Sequence, residues 1–490
     1  MSPWPSARAA STALAALLAA TGIVAAQGSP PAAPPTAAPA TALPAARVRV
    51  PDYRRRVLPN GIVLLVMPFR EVPLVAFNAV LRGGALADPP DRAGTAAITA
   101  GLLEKGAGKR DAFAFADAVA DVGGSFSAAA GSESISVGGQ FLARDRDLMI
   151  ELLADALLRP RLDAAEFESL RNREVEGIKA AKDSEPQSLI RNYGRALLFG
   201  AHPYGGAVSG SERSLATLSP GDVQAYVRDQ FGADRLILAF AGDVDVDAIE
   251  KAVTRAFAGM PRARQPPPAL PPPARVAGRR VLLVDSPGSS QTYFWLANVG
   301  VARSYPQRAA LDIVNTLYGG RFTSILNTEL RIKSGLSYSA SSSFTRRKVP
   351  GEFAIDSFTQ TDNTGKALDL ALQTLADLKR GTLAPEMLQS ARSYVLGQYP
   401  LALETAAHWA STLADLEFFG LDRSWIEDYG PALAAVGEAD ARRVIAEAFP
   451  SADDLAIVLI GDAALIRDTA RRYGPVTELP LAAADFAPQG

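Results

Sequence analysis

Two passages of this chain occur twice. LLADALLRPRLDAAEFESLR, from Leu152, is echoed by QTLADLKRGTLAPEMLQSAR, from Gln373. LATLSPGDVQAYVRDQFGADRLILAFAGDV, from Leu215, is echoed by LAAVGEADARRVIAEAFPSADDLAIVLIGDA, from Leu433. The Leu-Ala-Asp triplets at Leu153 and Leu375 lie 222 residues apart, and the Gly-Asp pairs at Gly242 and Gly461 lie 219 apart. Two independent matches at nearly one offset imply a duplicated domain of about 220 residues. The proline cluster RQPPPALPPPAR, Arg264 to Arg275, falls between the copies, and linkers of this composition mark domain boundaries.

Within each copy, strand and helix signals mix. RRRVLPNGIVLLVMPF reads as a hairpin turning at Pro-Asn-Gly, and VPLVAFNAVLRGG and ISVGGQFLA read as further strands. RLILAFAGDV and DLAIVLIGDA are apolar runs that stop at Gly-Asp, as buried strands do. DRDLMIELLADALLRP, DAAEFESLRNREVEGIKAAK and SPGDVQAYVRDQF have helical spacing with Asp or Ser at their starts. Runs of strands followed by runs of helices predict an α+β fold, here two homologous layered domains in tandem.

The ends bound the setting. Arg8 precedes an apolar run from Ala9 to Ala26, and Val24 and Ala26 stand at −3 and −1 before Gln27. This pattern is a secretory signal peptide; the alternative is an uncleaved anchor, which the short, alanine-rich run disfavours. Residues 29–46 are a Pro/Ala-rich spacer. The expected division is 1–26 signal peptide, 27–50 spacer, 51–262 first domain, 263–275 linker and 276–490 second domain. With no Cys, the chain forms no disulfide and carries no lipid-modified cysteine. Export without disulfides is consistent with a bacterial periplasm. A net charge of −2 provides no basic field for nucleic acid.

From Tyr53 to Ala463 the chain resembles the pitrilysin-type zinc peptidases, in particular the two-domain chains of the mitochondrial processing peptidase branch. The markers are LPNGIVLLVM, RGGALADPPDRAGTA, LLADALLRPRLD, AHPYGGAVSGSERSLATLS and GGRFTSILNTELRIKSGLSYSASSS, in family order. In active members the helix after the RGG segment carries His-x-x-Glu-His. Two His at i and i+4 reach one Zn²⁺, the Glu takes a proton from the metal-bound water, and a Glu ~75 residues on closes the site. Carried onto this chain, the first His falls on Ala97, the base on Ala100, the second His on Gly101, and the distal Glu on Gly177 or its neighbour Glu176. His202 and His408 are the only histidines, so no cofactor, and specifically no zinc, is expected in this chain.

The resemblance implies a pair. One subunit holds zinc, and a metal-free subunit closes on it like a clamshell around an extended peptide and supplies an Arg/Tyr pair. LRIKSGLSY offers Arg331 and Tyr338 at the family's seven-residue spacing, after Gly319-Gly320 in the substrate-binding segment. In the family the Arg engages the peptide, and the Tyr hydroxyl donates to the oxyanion. The chain therefore reads as the non-catalytic subunit of an exported zinc endopeptidase, inactive alone, whose partner carries His-x-x-Glu-His; a homodimer stays open. Ser127 to Gly139 is the expected peptide-binding edge. The alternative is a scaffold with the same fold and no role in proteolysis. Elsewhere, His202 reads as a turn and packing residue, His408 as part of a helix–helix contact, Asp243 and Asp462 as turn residues, and ARDRD from Ala143 as a solvated helix start. GRFTSIL lacks the ending of a phosphate loop.

Overall fold

Asn60 and Gly61 reverse the chain after its first strand. Gly61 takes φ 102°, a left-handed conformation that glycine adopts without a Cβ clash, and Asn60 Oδ1 accepts from the Ile62 N–H. The expected hairpin results, with Val57 opposite Val63. In the computed structural model, residues 48–89, 91–381 and 383–488 are described. The signal-peptide assignment and all but the last three residues of the spacer lie outside them. Of those three, Arg49 is exposed, Val48 is half-buried, and Val50 is buried with its N–H donating to Glu427 at 3.1 Å.

The first half contributes β1 (Arg54–Val57), β2 (Val63–Pro68), β3 (Leu74–Arg82), a small ribbon of β4 (Gly106–Ala107) and β5 (Arg110–Asp111), β6 (Ser125–Ala130), β7 (Ser134–Leu142) and β8 (Leu236–Gly242). The second contributes β9 (Arg280–Asp285), β10 (Gln291–Val299), β11 (Ala340–Phe344), β12 (Glu352–Gln360), β13 (Ala456–Gly461) and β14 (Val476–Pro480). One sheet runs β1-β2-β8-β3-β7-β6, the other β14-β9-β13-β10-β12-β11. Five strand positions correspond. β8 lies parallel to β2 with Gly242 opposite Pro68, and β13 lies parallel to β9 with Gly461 opposite Asp285. The repeated Gly-Asp pairs thus occupy equivalent strand ends, as a duplicated domain requires. The sixth position differs: β1 is the antiparallel hairpin partner of β2, whereas β14 joins β9 in parallel from the far end of the chain.

Both faces of each sheet are buried, so β2 and β8 read as continuous apolar runs instead of alternating ones. One face of the first sheet carries helices of its own half, including Arg146–Leu158 and Val246–Ala256. Its other face takes the helix Ala406–Phe419 from the second half, which sets Trp409, Ala410 and Leu413 on Leu65, Ala76 and Ile237. The second sheet mirrors this. Its outer face holds Arg308–Tyr318 and Thr364–Arg380, and its inner face takes Ile190–Phe199 from the first half, with Tyr193 and Leu198 among Trp295, Val458 and Ile460.

A polar seam pins the exchange. Glu352 of β12 is fully buried and pairs with Arg195 at 3.1 Å and Arg347 at 3.8 Å. Burial pushes its carboxyl up, but the two guanidiniums hold it below the ordinary glutamate value. Tyr204 donates to Glu133 at 2.8 Å, and the Arg347 guanidinium lies over the Tyr204 ring. The linker also lies against the body: His202 Nε2 shares a hydrogen bond of 2.8 Å with Pro271 O, and the Tyr204 N–H donates to His202 Nδ1. His202 is a turn and packing residue, as its sequence context indicates. His408 is not in a helix–helix contact; its side chain is exposed on the outer face of its helix.

The two halves meet tightly at Gly194, where a Cβ would lie 2.6 Å from the Trp295 ring. Gly194→Ala should destabilise the chain by about 1–3 kcal/mol, read as a lowered thermal midpoint, because neither the helix backbone nor the enclosed indole has room to move.

Candidate functional site

The helix Thr95–Leu102 begins at Gly94, whose φ of 97° permits the sharp entry. Its cap comes from outside the helix. Asp88 accepts from the Gly94 N–H at 2.9 Å and the Ala96 N–H at 2.8 Å, which satisfies two of the orphan donors of the first turn. Burial pushes the Asp88 pKa up to about 7, against the lowering pull of the Ala96, Gly94 and Thr95 N–H groups.

The helix packs between β6, the helix Pro220–Gln230 and the helix Ala164–Ser184. Ala97 and Gly101 are half-buried, and Ala100 is fully buried in the core of the first half. A second imidazole would require Leu170 to shift. A Cβ on Gly101 would lie 2.7 Å from Leu170 Cδ2, a side chain of the Ala164–Ser184 helix. Gly177 on that helix faces open space, and Glu176 is 71% exposed and paired with Lys179 at 2.9 Å. Among the described residues, no group of three or more His, Cys, Asp or Glu side chains is placed to hold a metal ion. Zinc and its His-x-x-Glu-His set do not fit this helix: its ligand positions carry no donor atoms, and the fully buried Ala100 stands at the base position.

One ionisable group does reach the blank face. Glu104 lies one turn beyond Gly101 and Ala100, and its Oε1 accepts from the Ala128 N–H of β6 at 2.6 Å. The segment expected to form a peptide-binding edge divides here. β6 is the outermost strand, but β7 is covered on both sides by β3 and β6.

The Arg/Tyr segment is built differently. The helix Arg308–Tyr318 stops at Gly319, where β11 passes so close that a Cβ would lie 2.3 Å from Ser342 Oγ; at Gly320 one would lie 2.9 Å from Thr316 Cα. From Thr328 to Lys333 the chain winds as a π-helix, with the Ser334 N–H donating to Glu329 O five residues back. This rare widened turn is found disproportionately at functional sites. It brings the two predicted residues together: the Arg331 guanidinium lies 4.4 Å from the centroid of the Tyr338 ring. A third member, Phe322, holds the other side of Arg331 at 4.9 Å. Tyr338 is 71% exposed and Phe322 61% exposed, so a stacked cation and two aromatic rings stand at the surface. The Tyr338 hydroxyl makes no hydrogen bond among the described residues. The sequence marks Phe322 only by its place in GGRFTSIL, and Glu104 and Asp88 only by helical spacing and the approach to the helix.

The remaining candidates are structural. Asp462 caps the helix Ala463–Arg471 by accepting from the Ala464 N–H, and Asp243 lies beside Arg70 at 3.5 Å. Ala143–Asp145 is a single exposed turn leading into Arg146–Leu158.

Comparison with known proteins places this geometry. Residues 73–210 match the family model for insulinase (peptidase family M16), and residues 217–395 match the model for the peptidase M16 inactive domain. Uncharacterized zinc proteases of Mycobacterium tuberculosis and Streptomyces coelicolor are 27% and 24% identical, over 76% and 83% of this chain and 85% and 89% of theirs. A crystal structure of a peptidase M16 inactive domain from Pseudomonas fluorescens superposes with a TM-score of 0.78 at 23% identity, covering 84% of this chain and 98% of that one. A protease from Helicobacter pylori superposes with a TM-score of 0.76 at 19% identity, covering 84% and 99%. At these identities the two structures show the fold.

Two predictions follow from the blank helix and its cap. The triple substitution Ala97→His, Ala100→Glu, Gly101→His should destabilise the chain by several kcal/mol and yield no stoichiometric zinc, because it buries a carboxylate and drives an imidazole against Leu170. Thermal unfolding and metal analysis of the purified variant test both parts. Asp88 ionises less readily folded than unfolded, so between about pH 4 and 7 the folded state holds more protons, and this site's contribution to stability falls as pH rises across that window. Asp88→Asn should remove that slope from denaturation measured at a series of pH values.

Proposed function

The chain belongs to the M16 family of peptidases, and from that premise we propose that it is the metal-free subunit of an exported M16 endopeptidase. The observation that carries the proposal is the contrast between its halves. In the first, the helix is kept as packing while its two expected ligand positions are Ala97 and Gly101 and its base position is Ala100. In the second, Arg331 and Tyr338 are held together at the surface beside a π-helical turn. Burial explains the first arrangement. An exposed Arg–Tyr stack with an unpartnered hydroxyl is better explained by something that docks there.

On this reading the partner is a homologous chain with His-x-x-Glu-His, and its zinc supplies the hydrolytic water. Tyr338 donates its hydroxyl hydrogen to the carbonyl oxygen of the scissile peptide as negative charge develops there. A fixed donor aimed at that charge lowers the barrier by about 3 kcal/mol. Arg331 holds the peptide through its backbone carbonyls or a carboxylate, with its plane set by Phe322 and Tyr338. Gly319 lets β11 pass close to the helix end, and Gly320 lets the chain fold back on Thr316, in the segment that leads to Arg331 and Tyr338. The apolar run Ala9–Ala26 supports export to the periplasm.

The test is reconstitution with the zinc-bearing partner, isolated by co-purification. Tyr338→Phe should lower kcat of the pair by about 100-fold with assembly and partner zinc content unchanged, since it removes one exposed hydroxyl. Arg331→Ala should also raise KM, because the guanidinium holds peptide before reaction. If both variants leave kcat and KM at parental values, the site-sharing reading fails and a scaffold role replaces it.

A further inference from the structure

A cleft of about 370 Å³ opens where three parts of the chain meet. Arg82, the last residue of β3, comes from the first half. Arg303 and Ser304, just beyond β10, and Lys348, between β11 and β12, come from the second. The end of the helix Ala406–Phe419 supplies Glu417 and Phe419. Arg82 and Arg303 are half-buried, and Lys348 is exposed.

The cations of this cleft lack carboxylate partners. Among the described residues, neither Arg82 nor Lys348 forms an ion pair, and Arg303 reaches only Asp415, at 3.8 Å. Arg303 Nε is buried without a hydrogen-bond partner. The other carboxylates nearby are engaged. Glu417 accepts from Arg55 at 2.7 and 2.9 Å, Asp312 pairs with Arg346 at 2.9 Å, and Glu133 accepts from the Tyr204 hydroxyl and the Lys348 backbone N–H. The helix end offsets part of the charge: Glu417 O lies 3.5 Å from Arg82 Nη2, and a helix C-terminus carries about half a negative charge. Asp415 and that half charge are set against three cations. Two of the three turn to aromatic faces, Lys348 to Phe418 at 4.2 Å and Arg303 to Phe419 at 5.5 Å. Burial pulls the Arg82 and Arg303 guanidiniums below the ordinary arginine value, against the attraction of Glu417 and Asp415, and the like charges of Arg55 and Arg346 add to it.

We propose that this cleft is a binding site for a phosphate group, free or at the end of a small molecule, held by Arg82, Arg303 and Lys348. A dianion answers the surplus of positive charge better than a monoanion does, and the planar guanidinium fork matches its oxygens. The exposed Ser304 hydroxyl adds a neutral donor. Because the cations come from both halves, a bound phosphate joins the end of β3 to the loop between β11 and β12. The site shares no residue with the Arg331–Tyr338 stack, and the inference goes beyond the proposed function without resting on it.

Calorimetric titration of the full chain with inorganic phosphate and with glycerol 3-phosphate, at about pH 8 and constant ionic strength, tests the site directly. One phosphate group per chain should bind with a Kd below about 1 mM. Lys348→Met and Arg82→Gln should each weaken binding about tenfold or more, whereas Lys348→Arg, which keeps the charge, should weaken it by less than about threefold. Phosphate should also raise the thermal midpoint of the parent chain more than that of Lys348→Met, a comparison that subtracts the general stabilising effect of the salt. Lys348 is exposed, so Lys348→Met carries the test if Arg82→Gln does not fold. Tighter binding of glycerol 3-phosphate assigns the site to an organic phosphate, and tighter binding of inorganic phosphate assigns it to the free ion. No saturable binding of either, or equal binding by the parent and Lys348→Met, overturns the proposal. Neither result touches the Tyr338 and Arg331 test, which reads catalysis by the assembled pair.

Discussion

The structure depends on an exchange of helices between its halves. Each sheet has two apolar faces and enough helix of its own half to cover one. Ala406–Phe419 and Ile190–Phe199 cover the others, each crossing to the opposite sheet. Without the exchange, Leu65, Ala76 and Ile237 on one side and Trp295, Val458 and Ile460 on the other would face water, at a cost of about 25 cal/mol for each Å². The described residues accordingly form one compact unit despite the repeat in their sequence. The buried Glu352–Arg195–Arg347 group supports the same seam, and it is sensitive to the loss of any member because each remaining charge would be left without a partner.

That interlocking explains why a catalytic frame outlasts its chemistry. The Thr95–Leu102 helix lies under β6 and against two other helices, so its backbone is needed for the core whatever its side chains do. Once metal ligands are absent, packing moves into their place: Leu170 presses on Gly101, and Ala100 disappears into the core. Asp88 keeps the helix start in order from outside. Reversal is then obstructed by packing as well as by missing donors. The second half shows the opposite balance. Its π-helical turn seats Leu330 in the core, while the Arg331–Tyr338 stack stays at the surface with a hydroxyl that no described residue partners.

Duplication also makes a natural comparison of edges. The same strand position, β6 in one half and β11 in the other, is closed by backbone and asparagine in the second half and by one glutamate in the first.

Much of this was written in local sequence. The Asn60-Gly61 hairpin, the apolar runs ending at Gly242 and Gly461, the capped helices and the 219- to 222-residue repeat all depend on neighbours in the chain, and the two homologous α+β layers follow from them. That Ala97, Ala100 and Gly101 bear no metal-binding atoms is plain from residue identity, but their roles, and the pairing of Arg331 with Tyr338, came from the resemblance to zinc peptidases and not from local pattern. Contacts between distant segments were not legible. Nothing near Gly194 announces Trp295, nothing near Gly101 announces Leu170, and the exposed place of His408 is set by which helix face the first sheet buries. Periodicity and turn chemistry determine what each segment becomes. Only packing in three dimensions decides that Glu104 meets the Ala128 N–H, because that hydrogen bond joins groups whose approach depends on where a whole helix settles against a sheet edge.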